Sequence, residues 1–193
     1  MNKIVFASHN IHKVSEIQHS IEKWDIVSLK DLDYADDIPE TGSTLRENAL
    51  QKAQFVYDKF GYNCFADDTG LEIDFLNGEP GVFSARYAGE NCSFEDNTNK
   101  VLEKLKSVPM EKRTARFKTT ICLIFEGEKY FFDGEVEGHI CEEKSGEMGF
   151  GYDPIFKPIN YNITFAEMDL DLKNKISHRA IASAKLVEFL NQK

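Results

Sequence analysis

Two β-rich runs, Arg116 to Phe125 and Lys129 to Cys141, flank Glu126-Gly127-Glu128 in the 193-residue chain. A short break of this kind between two such runs predicts a β-hairpin. Its strands are antiparallel, while helical and strand patterns alternate on either side. The expected fold is therefore α/β or α+β with a mixed sheet. No repeat, low-complexity tract or long linker interrupts residues 1–193, which read as a single domain.

The helices announce themselves by period and by caps. After Ser8-His9-Asn10-Ile11-His12-Lys13, the residues Val14, Ile17, Ile21 and Trp24 fall on one helical face. Thr44 with Glu47 is a capping box. It opens a helix whose Ala49, Ala53, Val56 and Phe60 share a face, and Gly61 stops it. A third helix is expected from Phe94 to Lys106, and a last one after the cap Ser177, lined by Ala180, Ala184, Val187 and Leu190. Between them, NCFA reads as a short strand, DDTG as a turn, LEIDFL as a second strand and NGEPG as a turn.

The formal net charge is −10. That argues against a nucleic-acid or anionic-membrane partner, which requires a basic face. It leaves room for a small polyanion held by a local cationic cluster or by a cation on carboxylates. No apolar run is long enough to cross a membrane, and no secretory signal opens the chain. Cys64, Cys92, Cys122 and Cys141 are widely spaced, as buried thiols of a reducing compartment would be. The expected location is cytoplasmic.

Several groups could carry chemistry. Asp67 and Asp68 follow a strand, where carboxylates suit Mg²⁺. In extended backbone they point to opposite faces, so one faces a site and the other positions it. The same pair also suits a plain turn. Glu40, in a loop before a helix, is a solvated charge unless one of those aspartates is near. His178 and Arg179 occupy the first turn of the last helix, where the dipole disfavours cations. Such a broken local rule is enriched at functional sites. Phe150, between two glycines, suits either base stacking or a plug in the core. SHNIHK lies between a strand and a helix, where α/β proteins place phosphate, yet it has no glycine.

Together these motifs resemble one family. SHNIHK resembles its opening Ser/Thr-x-Asn-x-x-Lys element. PETGSTLRENALQKA resembles its acidic loop and helix, FADDTGLEID and PGVFSARYAG its central block, and GFGYDPIF and KNKISHRA its closing signatures. The chain is thus similar, from Ser8 to Arg179, to the inosine triphosphate pyrophosphatase family. His9 stands where glycine is frequent, Thr69 replaces serine, and Ala180 stands where glycine is common.

The resemblance implies a long mixed β-sheet flanked by helices, with two lobes around a central cleft, in a homodimer. It implies Mg²⁺-dependent hydrolysis of ITP, dITP and XTP to the monophosphate and pyrophosphate. Carried onto matching positions, Ser8, His9, Asn10, Ile11, His12 and Lys13 bind the triphosphate. Glu40 and Asp68 serve the metal, with Asp68 the proton acceptor. Thr69, Phe150, Gly151, Tyr152, Asp153, Lys173, His178 and Arg179 bind substrate. With a glycine-free loop, the Ser8 hydroxyl, Asn10 amide and Lys13 ammonium would donate to phosphate, helped by helix N–H groups. Arg179, His178 and backbone N–H groups near Phe150 are the expected donors to a purine 6-oxygen. A group acting on modified pyrimidine nucleotides, and a non-catalytic nucleotide-binding module, are the alternatives.

Overall fold

The structure, a computed structural model, describes residues 2–18 and 24–193. Its described strands are β1 (Asn2–Phe6), β2 (Trp24–Ser28), β3 (Cys64–Ile73), β4 (Pro80–Gly81), β5 (Thr114–Phe125), β6 (Glu128–Ile140) and β7 (Phe156–Pro158). The helices are α1 (Ile11–Gln18), α2 (Leu45–Phe60), α3 (Phe94–Lys104), α4 (Leu170–Ile176) and α5 (His178–Leu190).

The sheet is mixed, with strand order β2-β1-β3-β5-β6-β7 and β4 on β3. β1 runs parallel to β2 and β3, whereas β3–β4 and β6–β7 are antiparallel. The hairpin expected at Glu126-Gly127 is present as β5 and β6. The chain forms two compact units: Met1–Asp68 with Thr119–Gly134 and His178–Lys193, and Thr69–Lys118 with Glu135–Ser177.

In the first unit β1, β3 and β5 are buried on both faces, which is why they read as continuous apolar runs. Ile4, Phe6, Phe65, Ile121 and Leu123 pack with Ile17 of α1 and Leu186 and Leu190 of α5. Their strand neighbours Val5, Cys64, Ala66, Cys122 and Ile124 pack with Ala49, Ala53 and Val56 of α2. Gly134 of β6 lies against the start of α5, where a Cβ would sit 2.0 Å from the His178 carbonyl oxygen. No side chain fits there.

The second unit has its own core, in which Leu71, Val101, Leu105, Phe117, Tyr152, Phe156 and Phe165 are buried together. Phe117 packs its ring 4.7 Å from Phe156. Arg113 is buried here with its guanidinium donating to the carbonyls of Val108, Cys141 and Leu105.

Some expectations need correction. Trp24 does not share a helix with Val14 and Ile17; it opens β2. Ile21, assigned to the same face, lies outside the described residues. DDTG is not a turn: β3 runs unbroken from Cys64 to Ile73. Residues on both sides pair with neighbours, and ladder bonding overrides the turn preference of Asp and Gly. α3 ends at Lys104, two residues early, with Ser107 in a left-handed conformation just beyond. α4 was not expected; Asp169 caps it by accepting from the Leu172 N–H at 2.7 Å. Cys92 and Cys141 are only half-buried.

Candidate active site

The first unit gathers charge around the middle of β3. Alternation along the strand sends Asp67 and Asp68 to different partners. Lys13 Nζ donates to Asp67 Oδ1 at 3.0 Å, and Arg179 Nε donates to Asp67 Oδ2 at 3.1 Å. Arg179 also donates through Nη1 to Glu16 of α1. Asp68 Oδ2 accepts from Asn48 Nδ2 at 3.1 Å, and Lys52 Nζ lies 3.4 Å from Asp68 Oδ1 and 2.5 Å from Glu40 Oε1.

The two carboxyls differ in charge state as well as in direction. Burial opposes ionisation of Asp67, but Lys13 and Arg179 outweigh it and hold the carboxyl below its usual range. Burial prevails at Asp68: despite Lys52 and Lys13, and with Glu40 adding repulsion, its carboxyl is raised. Burial also lowers Lys13, against the attraction of Asp67. For Lys52, burial is outweighed by Asp68 and Glu40, and its ammonium is held raised.

Local structure places these groups. Thr44 and Glu47 form the expected capping box, and Gly61 is the C-cap of α2. On that helix Asn48 and Lys52 are one turn apart and both buried. Asn48 Oδ1 accepts from the Gly42 N–H at 2.8 Å, and Gln51 Oε1 from the Thr41 N–H at 3.0 Å. These bonds fold the 39–44 loop onto α2 and bring Glu40 over Lys52.

At the opening element, Asn10 caps α1, its Oδ1 accepting from the N–H groups of His12 at 3.0 Å and Lys13 at 3.3 Å. Those two N–H groups, expected to serve phosphate, already have this acceptor. The Asn10 side chain keeps its Nδ2 donors. Ser8 Oγ accepts from the Asn10 N–H at 3.2 Å. His9 is tied to the Asp36 carbonyl at 3.0 Å and faces the Tyr34 ring at 6.1 Å. Ile11 and His12 are exposed. His178 and Arg179 do open α5, but both are buried, so the solvated helix start is excluded. Asp67 and Glu16 offset the dipole at Arg179.

The second unit holds the remaining candidates. Thr69 is half-buried on β3. Asp153 Oδ2 accepts from the Phe150 N–H at 2.8 Å and from Lys173 Nζ at 2.6 Å, and both side chains of that pair are buried. The backbone donor expected near Phe150 is therefore already bonded. Lys173 Nζ lies 5.0 Å from the Phe150 ring centroid. Gly149 has φ +77°, and a Cβ there would be 2.2 Å from Asp153 Oδ2. Tyr152 is buried and donates to the Ser84 carbonyl at 2.8 Å.

Asn48, Lys52 and Glu16 escaped the sequence reading. Asn48 and Lys52 flank the apolar positions Ala49 and Ala53, and buried polar residues at that spacing were the available signal. Glu16 carried none, because its partner is distant in sequence.

Among the described residues, no group of three or more His, Cys, Asp or Glu could hold a metal ion. Mg²⁺ needs fewer: one or two carboxylates, completed by water and phosphate oxygens. Glu40 and Asp68 meet that requirement, since both reach the single ammonium of Lys52 and thus converge on one cationic position. The donors fit.

The sequence pattern of the Ham1 family matches residues 4–189. The chain is 52% identical over 189 residues to the dITP/XTP pyrophosphatase of Flavobacterium johnsoniae, covering 97% of each. It is 46% identical over 193 residues to the Bacillus subtilis protein of the same name, covering 98% of each. Among solved structures, the Ham1 protein of Staphylococcus aureus matches with TM-score 0.89 at 40% identity, over 99% of both chains. The HAM1 protein of Coxiella burnetii matches with TM-score 0.91 at 39% identity, over 100% of both. Agreement along nearly the whole length, in sequence and in fold, means that this chain belongs to the Ham1 family.

Proposed function

We propose that the protein hydrolyses the non-standard purine nucleoside triphosphates ITP, dITP and XTP to the monophosphate and pyrophosphate, with Mg²⁺, as a cytoplasmic homodimer. The observation that carries this reading is the convergence of the Asp68 and Glu40 carboxylates on the Lys52 ammonium, with Asn48 donating to Asp68. The names of relatives about half identical along the chain support the substrate class. No helix among the described residues is long and apolar enough to cross a membrane.

Hydrolysis breaks the bond between the α-phosphorus and the bridging oxygen, which leaves with pyrophosphate, while water adds to phosphorus and loses a proton. A positioned carboxylate can accept that proton, and Asp68, set between Asn48 and Lys52 beside Glu40, is that group. Asp67 cannot share the role, because Lys13 and Arg179 hold it ionised as their counter-charge. It positions Lys13, which with Ser8 and Asn10 offers donors to the triphosphate. Mg²⁺ held by Glu40 and Asp68 would neutralise charge on the leaving pyrophosphate. Lys52 keeps both carboxylates aimed at one point.

The test is a panel of purine and pyrimidine nucleoside triphosphates with Mg²⁺, scoring pyrophosphate against orthophosphate. Pyrophosphate from ITP, dITP and XTP, in preference to ATP and GTP, is expected. Orthophosphate alone, or turnover confined to pyrimidine nucleotides, overturns the proposal. Light scattering checks the dimer.

A further inference from the structure

The two carboxylates that suit a metal come from different parts of the first unit. Asp68 lies in β3, and Glu40 lies in the loop before α2. One side chain bonds to the support of both. Asn48 of α2 is 0% exposed. Its Oδ1 accepts from the Gly42 N–H at 2.8 Å, and its Nδ2 donates to Asp68 Oδ2 at 3.1 Å.

The loop reaches this amide only because residue 42 is glycine. A Cβ there would lie 2.6 Å from Glu47 Cβ and 2.7 Å from Asn48 Oδ1. Holding the loop needs no more than an acceptor on the helix, and Gln51 supplies one to the neighbouring Thr41 N–H at 3.0 Å. Asn48 accepts as Gln51 does, and it also donates. An amide carries both functions on one rigid plane. A leucine of similar size offers neither, and an ionised aspartate would accept from Gly42 but repel Asp68. Because the amide is buried, bulk water cannot replace either partner.

We propose that Asn48 is a positioning residue that couples the Glu40 loop to Asp68, so that one amide plane sets both carboxylates. The inference rests on the function proposed above and deepens it. The Nδ2 bond takes Asp68 Oδ2 and leaves Oδ1 toward Lys52, 3.4 Å away. The Oδ1 bond holds the loop two residues from Glu40, whose Oε1 lies 2.5 Å from the same ammonium. Displacement of the loop is therefore felt at Asp68. Partners outside the coordination sphere are worth about 10- to 100-fold in metal affinity or activity.

Asn48→Leu, Gly42→Ala and the double variant would be compared with wild type. Metal binding is read without turnover, from the broadening that Mn²⁺ causes in the nuclear magnetic resonance signals of the Glu40 and Asp68 N–H groups. Asn48→Leu is expected to need at least about 10-fold more Mn²⁺ for half-maximal broadening, and to lower kcat for ITP about 10- to 100-fold with KM within about threefold. Hydrogen exchange should quicken at Gly42 while β1 keeps its protection. Gly42→Ala leaves Asn48 and both carboxylates in place, yet it should raise the Mn²⁺ requirement too. Both changes act through one amide, so the double variant should lose no more than Asn48→Leu alone.

An unchanged Mn²⁺ requirement in Asn48→Leu overturns the inference, as does a double variant in which the two losses multiply. Exchange that quickens equally in β1 overturns it as well, since that is general loss of structure. If Asn48→Leu does not fold, Gly42→Ala decides: a raised Mn²⁺ requirement supports the coupling, and an unchanged one overturns it. Absence of broadening in wild type overturns it outright. A wild type that shows the broadening but releases no pyrophosphate from ITP overturns the functional reading instead, and leaves the role of Asn48 standing.

Discussion

The carboxylates of Asp67 and Asp68 leave β3 toward different partners, the first accepting from Lys13 at 3.0 Å and the second lying 3.4 Å from the ammonium of Lys52. Neighbours in sequence thus have separate surroundings, one paired with Lys13 and Arg179 and the other set between Asn48 and Lys52. Substitution by Asn should split them. Asp68→Asn is expected to lower kcat roughly 10²- to 10⁴-fold with little change in stability. Asp67→Asn removes the shared partner of Lys13 and Arg179, and breaking a buried pair costs roughly 3–5 kcal/mol. Urea denaturation beside steady-state kinetics reads both, and equal stability of the two variants would contradict the division.

Glu40 offers a separate test of the metal. Even partners outside the coordination sphere are worth 10- to 100-fold in metal affinity. Glu40→Gln should therefore raise the Mg²⁺ concentration for half-maximal turnover by at least about 10-fold, and a chelator should abolish turnover of the wild type. An unchanged Mg²⁺ titration in the variant would remove Glu40 from the metal.

Gly149→Ala should disturb the loop that carries Phe150. The position has φ +77°, and the new methyl would collide with the Asp153 carboxylate. Left-handed backbone without glycine costs about 1–3 kcal/mol, before the broken bond to Phe150 is counted. Hydrogen exchange at residues 145–155 should quicken while exchange in β1 and α2 stays unchanged. Uniform protection across the loop would show that Asp153 does not organise it.

The thiols predict an alkaline limb. Burial, with Cys122 adding to it, pushes the Cys64 thiol up to about 12, and burial pushes Cys122 up to about 11. Both are buried, so half-buried Cys92 and Cys141 should be alkylated first. An unfolded thiol loses its proton near pH 8.5. Above that point the unfolded chain binds fewer protons than the folded one, so stability falls as pH rises through roughly 8.5 to 11. Cys64→Ser with Cys122→Ser should flatten this limb, as denaturation midpoints across that range would record.

Much of the fold was readable because its signals are local. The Thr44 box, Gly61, the Glu126-Gly127 turn and the start of α5 at His178 each rest on residues a few positions apart. The misses have a common cause. β3 passes through DDTG because β1 and β5 flank it in the sheet, and those strands are remote in the chain. Lys52 looked like an ordinary helix lysine until the 39–44 loop folded Glu40 onto it. His9, which raised the question of the glycine-free loop, proved to be anchored to Asp36 and Tyr34. The aspartates, Glu40 and Arg179 were found as types; their pairing was visible only in three dimensions.

Gly134 belongs to none of the sequence motifs and contributes no functional group. Yet the van der Waals gap between β6 and the first turn of α5 is set by the atom it lacks. Arg179 stands one residue into that turn, and its grip on Asp67 depends on where the turn lies. The spacing of the charged network is therefore gauged from behind, by a strand residue that never touches it. A methyl group at Gly134 would act at a distance, loosening Asp67 without altering any residue of the site.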